Sequence, residues 1–337
     1  MRLLIKTIIV LVLIVIITFT IIWTQYQKFL TTPLQIGEEG YVYTVENGSN
    51  LLKISEDIQS AGLSSLPAKY LYIYGRLEQK AHLIKAGEYL IKQGTTLPQL
   101  LDQLISGQVI QYSFTIIEGS TSQQLINMIV ADPRLTKTLT DTSLAQVMIA
   151  IGQPDNHGEG EFAPETYYFV AGTSDKEMLN RAHQLMTSTL ENAWQNKAED
   201  LPYKTAYEAL IMASIIEKET GIAEERAEIS GVFVRRLQKG MRLQTDPTVI
   251  YGMGEKYDGN IRRKDLTTDT PYNTYTRHGL PPTPIALPSK EAIEAALHPT
   301  AGKSLYFVAT GQDGRHAFSN NLQAHNKAVR KYQLKKK

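Results

Sequence analysis

The chain opens on one long apolar run and then breaks into short alternations. From Thr7 to Gln27 no charge interrupts the sequence, and Ile8 to Trp23 is almost entirely Ile, Val, Leu and Phe. A hydrocarbon core of about 30 Å takes roughly 20 apolar residues in a helix, so this run predicts a membrane span over about residues 7–27. Trp23 and Tyr26 would mark its interfacial end. A cleaved signal peptide is the competing reading, but the run is long for one and no small-residue cleavage site follows it. Arg2 and Lys6 precede the run, which keeps the N-terminus cytoplasmic and sends the chain beyond residue 30 to the outer side. Residues 1–30 are therefore expected to be a cytoplasmic N-terminus and transmembrane anchor.

Past the anchor, one pattern recurs three times: a β-rich stretch ends in Gly plus a hydroxyl residue and leads into amphipathic helical spacing. The copies are YVYTVENGSNLLKISEDI from Tyr41, GEYLIKQGTTLPQLLDQL from Gly87 and YSFTIIEGSTSQQLINMI from Tyr112. Gly48, Gly94 and Gly119 make the turns, and Ser49, Thr95 or Thr96, and Ser120 or Thr121 are the candidate N-caps. Irregular spacing excludes a solenoid. A further helical pattern, Pro67 to Lys80, gives the order strand, helix, helix, strand over Tyr41 to Ile91. That order resembles a LysM module, a small glycan-binding fold, and is placed at 31–110; a plain α+β spacer has the same order. Tyr70, Tyr72 and Tyr74 either stack on sugars or alternate in a half-buried element.

Residues 111–160 read as a connecting subdomain, polar and Thr- and Asp-rich from about 132, with a helix and a loop. From Glu161 helical periodicity takes over, at Asp175 to Trp194 and at Tyr203 to Gly240. Pro271, Pro281, Pro282, Pro284 and Pro288 forbid long helices between Thr270 and Ser289. SLYFVAT at Ser304 predicts a strand, and FSNNLQAHNKAV opens a last helix. The expected fold class is α+β: an N-terminal transmembrane helix, a small LysM-like α+β module, then a mixed α/β domain over 161–337 that carries the chemistry.

Composition narrows the function more by exclusion than by direction. With 35 Lys+Arg against 34 Asp+Glu, the chain has no electrostatic draw toward nucleic acid. It has no cysteine, so disulfides and thiolate chemistry are out. Histidines at 82, 157, 183, 278, 298, 316 and 325 include no i, i+4 ligand pair, so no metal is expected. Gly302-Lys303-Ser304 ends like a phosphate loop, but the required earlier glycine is Leu297. No G-x-S-x-G elbow is present, and no cofactor is expected.

The candidate chemistry begins where ALIMASII, Ala209 to Ile216, runs into Glu217. A carboxyl at the rim of a buried helix is desolvated, which raises its pKa and keeps it protonated for proton donation. Glu217 is thus the candidate general acid; a helix-end ion pair with Lys218 or Arg226 is the plain alternative. Glu219 lies roughly 200° further round the helix, so the two cannot form one dyad, and one must be structural or support the other from behind. MRLQTDPTVIYGMG at Met241 reads as a loop that gathers Gln244, Thr245 and Asp246 to line a site or brace a turn. PYNTYTRHGLPPTP at Pro271 supplies Tyr272, Asn273, Thr274 and Tyr275, which suit a sugar cleft or a packed loop.

Taken together, ASIIEKET at Ala213, GMRLQTDPTVIYGMG at Gly240, YNTYTRHGLPPTPIALPS at Tyr272, AALHP at Ala295, LYFVA at Leu305 and FSNNLQAHN at Phe318 resemble the endolytic murein transglycosylase family, also called YceG-like. The likeness is dense from Glu161 to Asn326 and one of layout in the N-terminal third. It implies a single-pass protein of the bacterial inner membrane whose periplasmic domain cuts nascent peptidoglycan strands internally and so terminates glycan elongation. The catalytic Glu falls on Glu217. It protonates the oxygen between N-acetylmuramic acid and N-acetylglucosamine, then deprotonates the muramic C6 hydroxyl, which closes a 1,6-anhydro ring. Glu219 and Thr245 support the site, Asp246 orients or stabilises the oxocarbenium ion, and Gln244, Tyr272, Asn273, Tyr275 and Asn321 contact glycan. The partners implied are glycan strands, the membrane and, by location, peptidoglycan polymerases. A muramidase-type hydrolase and a non-catalytic glycan-binding scaffold are the alternative functions.

Overall fold

A computed structural model describes residues 2–311 and 313–334; the outermost bounds of the expected segments, residues 1 and 337, lie outside them. The chain forms two compact units, Met1–Tyr112 with Tyr168–Gly172, and Ser113–Tyr167 with Thr173–Lys337.

The first unit starts with α1 (Arg2–Thr31), in which Leu4–Thr31 is long and apolar enough to cross a membrane. Its few hydroxyls turn back on the helix: Thr18 and Thr20 donate to the carbonyls of Ile14 and Ile16, both at 2.8 Å. Polar groups in such a helix are satisfied internally, as hydrocarbon demands. Then follow β1 (Tyr41–Val45), α2 (Leu51–Ser60), α3 (Ala68–Leu77), β2 (Gly87–Ile91) and α4 (Leu97–Ser106). β1 and β2 pair antiparallel with Tyr43 opposite Tyr89. Period-2 alternation sends Tyr43, Val45, Tyr89 and Ile91 inward onto Ile54, Ile58, Leu71, Leu100 and Leu104. Gly75 lets α3 approach α2, since a Cβ there would sit 2.3 Å from Leu51 Cδ2.

The strand, helix, helix, strand order is thus present. Two details differ from the sequence reading. Asn50, not Ser49, caps α2, accepting from Lys53 N at 2.9 Å, because its carbonyl-tipped side chain spans the first turn. Tyr70, Tyr72 and Tyr74 lie on a helix, so their every-other-residue spacing does not place them on one face. Thr96 and Thr121 do precede their helices, and Thr121 exchanges bonds with Gln124 in a reciprocal cap.

Strands β3 (Tyr112–Thr115) and β4 (Thr166–Phe169) pair with each other. The second unit is mainly helical: α5 (Ser122–Ala131), α6 (Leu144–Ala150), α7 (Asp175–Gln195), α8 (Ala206–Glu219), α9 (Ala223–Gln238), α10 (Asp246–Met253), α11 (Arg263–Thr267) and α12 (Lys290–Leu297). It closes with β5 (Tyr306–Ala309), β6 (His316–Ser319) and α13 (Leu322–Tyr332).

Helix α8 is its centre. Every residue from Ala209 to Ile216 is buried, which is why the stretch lacks a polar face. Around it pack Ile229 and Phe233 of α9, Ile293 and Ala296 of α12, and Met186 of α7. The one polar side chain in the stretch, Ser214, donates to Ile211 O at 2.7 Å and accepts from Ile285 N at 3.0 Å. Thr220 turns extended and ends the helix.

Two elements here depart from the sequence reading. Residues 246–253 are a helix rather than a loop: Pro247 sits in the first turn, where its missing N–H costs nothing. FSNNLQAHNKAV does lead into α13, but its first two residues, Phe318 and Ser319, end β6, with Phe318 opposite Phe307.

Candidate active site

The two acids that close α8 diverge. Glu217 turns to α12, where its Oε2 accepts from Ser289 N at 3.0 Å and also from the Ser289 hydroxyl. Ser289 is the N-cap of α12, its Oγ accepting from Ala292 N at 3.2 Å. Beside it, Lys218 Nζ donates to Gly119 O at 2.9 Å. Glu217 is held by a helix start, in the manner of a structural tie.

Glu219 points the other way, into a cavity of about 470 Å³. Burial pushes its carboxyl up to about 7, with the Asp246 charge adding to the rise and the Thr245 hydrogen bond, His316 and Arg236 opposing it. The Thr245 hydroxyl donates to Oε1. Standing at the negative end of α8 also disfavours the charged form. The carboxyl that burial raises here is Glu219, because the last turn of α8 rotates Glu217 toward a polar cap and Glu219 toward the cavity.

The cavity walls come from several elements. From the segment entering α10 come Gln244, Thr245 and Asp246. Gln244 sits at φ 52°, a left-handed conformation unusual for a side-chain-bearing residue, with its N–H on Thr274 O at 3.1 Å. Thr245 N donates to Thr274 Oγ1 at 3.1 Å, so this bend aims Thr245 at Glu219. Tyr275 donates its hydroxyl to Asp246 Oδ1 at 2.6 Å, and burial followed by that bond raises the phenol.

From α9, buried Arg236 holds the opposite side, donating Nε to Leu305 O at 2.6 Å and Nη1 to Leu243 O at 2.7 Å, with its guanidinium 5.0 Å from the Tyr306 ring. From β6, His316 lines the cavity while Glu225 Oε2 takes its Nδ1 at 2.8 Å and Glu225 Oε1 takes its backbone N–H at 3.0 Å. From α13 comes His325, stacked on Tyr306 at 5.2 Å.

Of the residues singled out in the sequence, Glu219, Gln244, Thr245, Asp246 and Tyr275 meet here, and four do not. Glu217, on α8, turns to the start of α12, as described. Asn273 is buried and braces its own loop: Nδ2 donates to the carbonyls of Asp265, Leu266 and Thr268, and Oδ1 accepts from Tyr275 N. With every polar atom used internally, it has nothing to offer a sugar. Tyr272 packs edge-on against Tyr251 at 4.9 Å with its hydroxyl on Thr283, so it belongs to the core. Asn321 caps α13, accepting from Ala324 N at 2.9 Å, and does not line the cavity. Conversely Arg236, Tyr306, His316 and His325 line the cavity without having been singled out. Tyr306 and His325 lie inside the LYFVA and FSNNLQAHN strings and His316 just ahead of the second, while Arg236 carried no such signal. Among the described residues no group of three or more His, Asp and Glu is placed to hold a metal.

Comparison with known proteins places this geometry in context. The YceG-like family matches residues 43–331. An endolytic murein transglycosylase of Bacillus subtilis (strain 168) is 30% identical over 326 residues, covering 91% of this chain and 89% of that protein. One of the same name from Streptococcus pneumoniae serotype 2 (strain D39 / NCTC 7466) is 27% identical over 339 residues, covering 90% of this chain and 61% of the pneumococcal protein, less than two thirds of its length. The crystal structure of a YceG-like protein from Listeria monocytogenes is similar with a TM-score of 0.53 and 29% identity, covering 86% of this chain and 99% of that one.

Proposed function

The chain belongs to the YceG-like family, and from that premise we propose that it is an endolytic murein transglycosylase, a lyase, whose acid and base is Glu219. The observation that carries the assignment of the acid is the Glu219 carboxyl pushed up to about 7 at a cavity wall, beside Asp246 and under the Thr245 hydroxyl.

A carboxyl with that proton affinity is half-protonated near neutrality, where one group can both give and take a proton. Thr245 occupies Oε1 as a donor, which leaves Oε2 to carry the proton. That proton goes to the glycosidic oxygen as the bond from C1 of N-acetylmuramic acid breaks, and the bonding pair leaves with the oxygen of N-acetylglucosamine. Asp246, fixed by Tyr275, supplies negative charge opposite the resulting oxocarbenium ion. The Glu219 carboxylate then takes the proton of the muramic C6 hydroxyl, whose oxygen closes on C1 to give the 1,6-anhydro end. The acid is regenerated and no water is consumed, so a second carboxylate as nucleophile is unnecessary.

Gln244, Tyr275 and Tyr306 are the proposed glycan contacts, offering an amide and aromatic faces. In the first unit, the strand, helix, helix, strand order with antiparallel β1 and β2 supports a LysM-like glycan-binding role. The unburied apolar stretch of α1 supports a single-pass anchor in the bacterial inner membrane, and Arg2 and Lys6 ahead of it favour a cytoplasmic N-terminus with the active unit periplasmic. Glycan polymerases are the neighbours this location suggests; unchanged localisation in cells lacking them would count against that.

Mass spectrometry of uncrosslinked glycan strands treated with the full chain in detergent tests the reaction. Anhydromuramic ends that vanish in Glu219→Gln are expected. Reducing ends would mean that water captures C1, and intact strands would leave only a binding role.

A further inference from the structure

We propose that the groove between α1 and α3 holds lipid acyl chains and seats the first unit on the outer surface of the membrane; this rests on the anchor reading above. On α3, Tyr70, Ile73, Tyr74 and Leu77 follow i, i+3, i+4, i+7 spacing and form one stripe. Facing it is a stripe of α1 that includes Ile22, Tyr26 and Phe29. Phe29 and Tyr74 close one part of the groove, with ring centroids 5.0 Å apart. The rest is open, about 420 Å³. Leu77 is 77% exposed and Ile73 49%, although Leu71 and Gly75 already supply the face that α3 buries in its own core. A second apolar stripe on a short helix needs its own apolar surroundings.

The position of the groove along α1 decides what those surroundings are. Roughly 20 residues cross the hydrocarbon core, so a span that begins after Lys6 ends near Tyr26. The α1 residues that wall the groove therefore straddle the outer boundary, and α3 lies beside them at that depth. Tyr26, Tyr70 and Tyr74 suit the headgroup level, where an aromatic ring meets both apolar and polar surroundings. Lys28, Lys69 and Arg76 adjoin groove residues in sequence, which favours phosphate-bearing lipid over a neutral apolar partner. The occupant assigned is thus the acyl region of the host bilayer, reached by Ile73 and Leu77.

The absence of cysteine makes single-site labelling direct. Nitroxide would be placed at Ile73→Cys and Leu77→Cys in the full chain, reconstituted in phosphatidylethanolamine and phosphatidylglycerol vesicles, with Ile14→Cys in the span and Glu56→Cys on exposed α2 as references. The exposure of Ile73 and Leu77 makes both substitutions compatible with folding. Collisions with lipid-soluble oxygen should exceed those with an aqueous nickel chelate at 73 and 77, as at 14, with the reverse at 56. Nickel access at 73 and 77 equal to that at 56, with 14 still in lipid, would overturn this proposal alone. Spin–spin broadening between dilute labelled chains would replace the lipid with a second copy. Nickel access at 14 would remove the anchor and this proposal together.

Discussion

Ser289 donates its backbone N–H to Glu217 Oε2 at 3.0 Å, and its hydroxyl reaches the same oxygen. A carboxylate held this way ties the end of α8 to the start of α12, and with Glu219 as the proposed acid that tie is its role. Glu217→Gln should keep cleavage within about tenfold of the parent while costing about 1–2 kcal/mol of stability, since a charge-assisted bond becomes a neutral one. Glu219→Gln should lose about 10²–10⁴-fold. Anhydromuramic product yield and urea unfolding, measured on both variants, separate the two roles. The reverse ranking of activities would return the acid to Glu217.

Because burial raises the Glu219 carboxyl to about 7 from its ordinary 4.5, the folded chain binds this proton more tightly than the unfolded chain does. The favourable contribution is complete below the unfolded value and is lost as pH rises through 4.5 to about 7. Glu219→Gln should therefore raise the unfolding midpoint at about pH 8 and leave it unchanged at about pH 4. Activity that needs the protonated acid should fall as pH rises through about 7. Midpoints measured across that range check the first expectation, and a pH–rate profile checks the second.

Tyr275 fixes Asp246 by a bond of 2.6 Å, and the Asp246 charge helps raise Glu219. Tyr275→Phe should slow cleavage by about tenfold through loss of one aligned hydrogen bond. Asp246→Asn should slow it further and also move the descending limb of the pH profile to lower pH, because a negative neighbour has gone. An unmoved limb would mean that Asp246 does not act on Glu219.

How much of this was legible beforehand differs by residue. ALIMASII announced a central helix because a stretch with no polar face must be buried all round, and the proline cluster forbade helices where none of any length is found. Which acid of Glu217-Lys218-Glu219 faces a cavity was not legible. The two differ only in rotation about α8, and that choice is made by Ser289, 72 residues further along the chain. Asn273 and Tyr272 looked like sugar contacts because amide and ring are the groups a glycan needs. The same groups serve a tight loop, and only the three carbonyls around Nδ2 distinguish the uses. β6 was hidden because His316–Ser319 gains its strand character from pairing with β5.

Asn273→Ala is the variant for the loop reading. It strips the donor from three carbonyls and the acceptor from Tyr275 N, so it should cost about 2–3 kcal/mol and lower the thermal midpoint. Activity per folded molecule, measured well below that midpoint, should change by less than about threefold, as expected of a side chain that does not touch glycan. A large rise in KM with an unchanged midpoint would make Asn273 a glycan contact instead.

His316 gives the site its opposing control. Glu225 accepts its Nδ1–H and its backbone N–H, so the ring is held at the cavity wall and its positive form would lie close to Glu219. Beyond burial itself, one neighbour raises Glu219, the Asp246 charge, and three lower it, the Thr245 bond, His316 and Arg236; Tyr275, Tyr306 and His325 complete the titratable lining. Arg236 is committed to the carbonyls of Leu305 and Leu243, which leaves His316 as the lowering charge that can be removed without undoing a backbone brace. His316→Gln keeps a donor for Glu225 and deletes the charge, so the descending limb should move upward by about 0.5–1 pH unit, opposite in direction to Asp246→Asn. Glu225→Gln, which keeps an acceptor for the His316 ring and backbone N–H, should move the limb less than His316→Gln does. Profiles for the three variants under one set of conditions decide the matter, and a limb that moves down or stays still in His316→Gln would show that the imidazole sets geometry rather than charge at Glu219.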